Sequence, residues 1–160
     1  MPKLSTCLWF NNNAEEAVNF YTFIFKDSKI KQTTRYSESS ANESGQPKGS
    51  IMTIVFEIGG QEYLALNGGP TFSFSPAFSI IVHVDTQEEL DYYWNSLSAG
   101  GQEVQCGWLT DKFGLSWQIV PRILEEMLQS KDTQKSDRVM SALVKMIKLD
   151  IAALRQAYEQ

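Results

Sequence analysis

A chain of 160 residues, 42% hydrophobic and 12% aromatic, can bury one sizeable core, and 1–160 reads as a single domain. Its 14 Lys and Arg against 19 Asp and Glu leave a net charge of -5, the wrong sign for tracking nucleic-acid phosphates. No apolar run reaches the length of a membrane span and Met1 to Thr6 lacks a signal-peptide core, so no nucleic acid and no membrane is expected as partner, and the cytoplasm is the expected address.

In chain order, Thr6 to Phe10 reads as a strand, and Asn13 followed three positions later by Glu16 has the capping-box spacing that opens a helix through Phe20-Tyr21. Three strand-like segments follow: Ile30 to Tyr36, Ile51 to Ile58 and Glu62 to Asn67, with Gly59-Gly60 as a hairpin turn. The polar stretch Ser37 to Gly49 has no apolar period and reads as a long mobile loop, either a solvated excursion or a flap.

The same order then repeats. Ser79 to His83 reads as a strand, Thr86 with Glu89 opens a helix through Tyr92-Tyr93-Trp94, and Gly100-Gly101 ends it. Glu103 to Cys106, Trp108-Leu109 and Leu115 to Val120 read as strands, the last two joined by a tight Asp111-Lys112-Phe113-Gly114 turn. The fold class is therefore α+β: tandem βαβββ modules, about 4–70 and 77–121, whose free faces curl around a cleft. After Pro121 the apolar spacing of Ile123-Leu124, Met127-Leu128, then Val139-Met140, Leu143-Val144 and Ile147, then Ile151, Leu154 and Tyr158 predicts a helical tail over 122–158, packed on the sheets or on a second subunit.

Cys7 and Cys106 both fall in predicted strands and read as buried thiols of a reducing compartment, against a disulfide or a nucleophile. His83, the single histidine, sits on the strand side that carries Ser79 and Ile81. It is either a proton-transfer group lining the cleft or a strand-end residue beside Asp85. Asn67-Gly68-Gly69-Pro70 follows a strand but opens no helix, so it reads as a structural turn rather than a seat for a methyl donor.

Leu8-Trp9-Phe10 leading into Ala14 to Ala17, Ala65 to Pro70, Glu89 to Trp94, the block Gln105 to Pro121, and Arg138-Val139-Met140 together resemble the PhnB-like branch of the vicinal oxygen chelate superfamily. That superfamily also holds glyoxalase I and the bleomycin-resistance proteins, and the branch often carries the label 3-demethylubiquinone-9 3-methyltransferase. The resemblance implies the glyoxalase-like paired-module fold, commonly as a homodimer, without one settled reaction. In metal-using relatives four His or Glu ligands line the cleft. Carried over by helix register, the matching positions are Thr6, Ala65, Ser79 and Gln118, with Asn67 on the strand face of Ala65. None is a charged donor, so no bound metal and no cofactor are expected.

Two functions remain on these grounds. One is a binding module for a small organic ligand in an uncharged cleft lined by Trp9, Tyr63 and Trp117, with Thr6, Asn67, Ser79 and Gln118 as neutral hydrogen-bonding groups. The other is an enzyme, either a divergent metal-assisted lyase or dioxygenase or the methyltransferase of the label.

Overall fold

The computed structural model describes residues 2–160, which divide into two compact units, one ending at Phe74 and the other running from Ser75 to Gln160. In the first unit, β1 (Thr6–Phe10), α1 (Ala14–Ile24), β2 (Ser28–Arg35), α2 (Glu38–Ser44), β3 (Ile51–Ile58) and β4 (Gln61–Asn67) build a sheet in the order β1-β4-β3-β2. The second contains β5 (Ser79–Val84), α3 (Gln87–Ser98), β6 (Gln102–Glu103), β7 (Trp108–Thr110) and β8 (Ser116–Pro121), ordered β5-β8-β7-β6. Its tail adds α4 (Arg122–Leu128), α5 (Thr133–Leu143) and α6 (Ile151–Glu159). In each sheet the first and last strands pair in parallel and the other neighbours antiparallel, so the duplication read from the sequence is present strand for strand.

Each sheet buries one face under its helix. In the first, Leu8, Phe10, Ile54, Phe56, Tyr63 and Ala65 alternate inward, and Tyr63 stacks on Phe56, which stacks on Tyr21 of α1. In the second, Leu109, Trp117 and Ile119 form the buried row, and α3 contributes Leu90, Trp94 and Leu97 to that unit's core. Gly59 and Gly60 turn β3 into β4 with φ of 54° and 80°, the left-handed pair that a two-residue hairpin requires.

The two helices start differently. Thr86 caps α3 through Glu89 N, and the Glu89 carboxylate accepts from Asp85 N, close to the spacing-based expectation. Asn13 makes no side-chain cap. The Ala14 amide instead donates to Asn67 Oδ1 at 2.9 Å, from 53 residues away, while Asn67 Nδ2 donates to Ile51 O.

Three further expectations need correction. The stretch 37–49 is not a structureless loop, because Ser37 and Ser40 form a capping box that starts α2 and Gly45, at φ 72°, ends it. Local serine chemistry makes this helix, with Ala41 as its one buried residue.

Cys106 lies outside any strand. It adopts φ 62°, and the Cys106 and Gly107 amides donate to Met146 O and Ile147 O of the tail, which cuts β6 to two residues. The tail helix predicted to continue through Ile147 stops at Leu143, leaving Met140, Val144 and Ile147 42%, 49% and 51% exposed. The chain then returns to α3, where Gln87 Nε2 donates to Leu149 O and Gln87 Oε1 accepts from Ile151 N.

Candidate functional site

The face of each sheet turned away from its helix is the place where side chains can meet a ligand. In the second unit, alternation from the buried row places Ser79, Ile81 and His83 of β5, Gln118 and Val120 of β8, and Trp108 of β7 on that free face. Gln118 Nε2 donates to Ser79 Oγ at 2.9 Å, so the two positions carried over as ligand sites satisfy each other. Ile81 is 46% exposed. Because α4 follows β8 directly, it walls one side of the free face. Ile81, Val120, Leu124 and Leu128, with His83 and Gln118 and the polar Glu125 and Gln129, enclose an open groove of about 440 Å³.

His83 also borders a second depression, with Arg122, Glu125 and Glu126. Asp85, its expected neighbour, pairs with Arg122 at 3.2 Å. Cys106 lies between β6 and β7, at the opposite edge of the sheet from the strand of His83. No Cys-His pair results.

Trp117 does not line the groove. It is 1% exposed on the helix side of β8, and its Nε1 donates to Asp111 Oδ2 at 2.8 Å. Asp111 Oδ1 accepts from Phe113 N and Leu115 N, so the Asp-Lys-Phe-Gly turn and the indole share one buried carboxylate. The chemistry of this hairpin is architectural.

In the first unit the expected residues divide between the two faces. Thr6, Tyr63, Ala65 and Asn67 follow the helix-covered row, and Tyr63, Ala65 and Asn67 are buried there. Burial raises the Tyr63 phenol above its ordinary value. Asn67 spends its side-chain amide on Ala14 and Ile51, and its backbone carbonyl accepts from Tyr36 Oη at 2.6 Å.

The slip has a physical cause. Three residues, 11–13, join β1 to α1, with Asn12 at φ 61°, whereas two, 85–86, join β5 to α3. Counting back from the helix therefore errs by one, and one residue in a strand exchanges its faces. Strand pairing sets Thr6 opposite Tyr63 as Ile80 stands opposite Trp117, so Leu64 matches Gln118 and Ser5 matches Ser79.

Trp9 does lie on the free face. Its Nε1 donates to Gly69 O at 2.9 Å, Phe72 meets its ring edge-on at 4.9 Å, and a Cβ on Gly68 would come within 2.3 Å of the indole. The Asn-Gly-Gly-Pro turn thus exists to cover Trp9. Toward the β3–β4 hairpin this face is charged, contrary to the uncharged lining expected. Lys29 and Lys31 pair with Glu57, and Lys31 and Lys3 with Glu62.

Hydrogen bonds from Lys31 and then Lys29 hold Glu57 below the usual carboxylate value, and those from Lys3 and then Lys31 do the same for Glu62. Lys31 is raised in return, by Glu57 and then Glu62. Cys7 is exposed as a residue, yet partial burial pushes its thiol up.

Residues that sequence reasoning missed are Trp108, Val120, Leu124 and Leu128. Strand alternation counted from Gln118 finds Val120, and Trp108 follows from the register that sets it opposite Gln118; nothing local tells that α4 would lie along the sheet.

The ordered pair of strand-helix-meander sheets defines a glyoxalase-like, vicinal oxygen chelate α+β protein. Residues 2–120 match the family model described as 3-demethylubiquinone-9 3-methyltransferase, and the chain belongs to that family. A PhnB protein from Bacillus cereus, labelled as a candidate 3-demethylubiquinone-9 3-methyltransferase, is 33% identical with a TM-score of 0.66, over 75% of this chain and 99% of that one.

Two further structures share the fold alone. PA1353 from Pseudomonas aeruginosa is 22% identical with a TM-score of 0.60, over 76% of this chain and 98% of that one. The fosfomycin resistance protein FosX from Listeria monocytogenes is 17% identical with a TM-score of 0.59, over 81% and 98%. No curated protein matches.

FosX has also been crystallised with Mn(II) and sulfate. Within the second unit, the hydroxyl of Ser79 and the amide of Gln118 do not fit a divalent ion, because such ions select carboxylate or imidazole donors. Among the described residues no three His, Cys, Asp or Glu side chains converge to hold one, and no helix is long and apolar enough to cross a membrane.

Proposed function

We propose that this protein binds a small organic molecule on the free face of its second sheet, in the groove between β5, β8 and α4, without a metal ion. One observation carries the reading: the side chains at the ligand positions of that sheet, Ser79 and Gln118, form a neutral hydrogen-bonded pair beside an apolar wall of Ile81, Val120, Leu124 and Leu128. Apolar walls with a few fixed polar groups are the usual make-up of a small-molecule site, and the volume lies in the common range.

The methyl transfer in the family's name receives no support from the glycine turn at 68–69. It is filled by the Trp9 ring, and no helix follows it to present amides to a donor.

The test is an NMR titration of the isotope-labelled protein with a panel of small aliphatic and aromatic fragments, with and without EDTA. The expected result is amide shifts at Ile81, Gln118, Val120, Leu124 and Leu128 that EDTA leaves unchanged. Binding that needs added Mn(II), or shifts confined to residues outside the groove, would overturn it.

A further inference from the structure

The groove is lopsided in charge. Ile81, Val120, Leu124 and Leu128 make its walls apolar, with Gln118 and His83 among them, while its rim on α4 carries Glu125 and the neighbouring depression, which His83 also borders, adds Glu126. Arg122, which lines that depression, pairs with Asp85 at 3.2 Å. Glu125 pairs with no cation among the described residues; its one side-chain partner is Gln129, whose Nε2 donates to Glu125 Oε1 at 3.2 Å. Its place in the first turn of α4 explains why the helix tolerates a negative charge there, without supplying a counter-ion.

Resting on the binding reading above, we propose that the groove selects a ligand with an aliphatic or aryl body and a protonated amine head, the body lying along Ile81, Val120, Leu124 and Leu128 and the ammonium meeting the Glu125 carboxylate. A charge-assisted hydrogen bond at the edge of an apolar groove is worth more than a neutral one, and an anionic head in the same place meets the like charge of Glu125. Glu125 lies on α4, just beyond residue 120 where the family match ends.

Calorimetric titration of the full chain with n-octylamine, 1-octanol and octanoate separates head from body. The amine is expected to bind about tenfold tighter than the alcohol, with octanoate weakest. Glu125→Gln brings the amine to the level of the alcohol with an unchanged melting temperature, and Glu126→Gln keeps the order. Equal binding of amine and alcohol, or an order that survives Glu125→Gln, overturns the amine preference while leaving the groove reading in place. Val120→Asp, checked for folding by circular dichroism, removes binding of all three if the groove is the site. Binding that persists in it, or no binding of any probe to the wild-type chain, sinks both.

Discussion

The free faces of the two sheets share one topology and one pairing pattern, yet they have been put to different uses. On the first, Trp9 lies under the turn that carries Gly68 and Gly69, and the hairpin end is spanned by lysine–glutamate pairs. On the second, the Ser79 and Gln118 side chains bond to each other, and α4 converts bare sheet into a groove. Duplication supplies two equivalent surfaces. Side-chain choice and an appended helix make the two surfaces different.

The largest expected effect comes from the second unit's turn. Asp111→Ala strips acceptors from Phe113 N, Leu115 N and Trp117 Nε1 at once. The loss is expected at about 3–5 kcal/mol, measured by urea unfolding, because buried donors left unpaired each cost their desolvation. A change below 1 kcal/mol would show that the carboxylate does not hold this hairpin.

Next is the contrast in helix starts. Asn67→Ala in the first unit removes a cap and a strand-to-strand bond together and is expected to cost about 2 kcal/mol, whereas Thr86→Ala in the second removes one local cap and costs about 1 kcal/mol. Equal losses in the same unfolding assay would erase the distinction between a long-range and a local cap.

The smallest effect concerns pH. Carboxyls lowered on folding, Glu57 and Glu62, add stability above their unfolded values and lose it as pH falls through their lower folded values. The raised Lys31 adds stability below its unfolded value and loses it as pH rises through its higher folded one. Lys31→Met should therefore flatten both the acid and the alkaline limb of the urea midpoint against pH. Because these groups face solvent, the effect should also shrink in high salt. An unchanged acid limb would mean that the pairs do not form in solution.

Much of this protein could be read from local pattern. The two βαβββ modules follow from alternation, helix caps and turn glycines, all of which act within a few residues of their cause, and the family resemblance rested on the same segments. The α2 helix escaped detection because a seven-residue polar helix has no apolar stripe to announce it; the serine pair at 37 and 40 was the only signal. The candidate site was half legible. Ser79, His83 and Gln118 share the free face of the second sheet as alternation requires, while Thr6 was carried to the other face by the extra loop residue beside Asn12, and Tyr63, Ala65 and Asn67 of β4 stand on the same helix-covered row.

By itself the sequence determined the duplicated order of strands and helices, the hairpins, and the lack of charged donors at Ser79 and Gln118, since residue type and period are properties of short segments. Only the tertiary structure decided which row of each strand lies under a helix, that Asn67 caps α1 from 53 residues away, that Trp117 is bound to Asp111, and that α4 flanks β5 and β8. Those outcomes depend on contacts between segments far apart in the chain, where a single inserted residue reverses a strand's two faces and leaves the local pattern almost untouched.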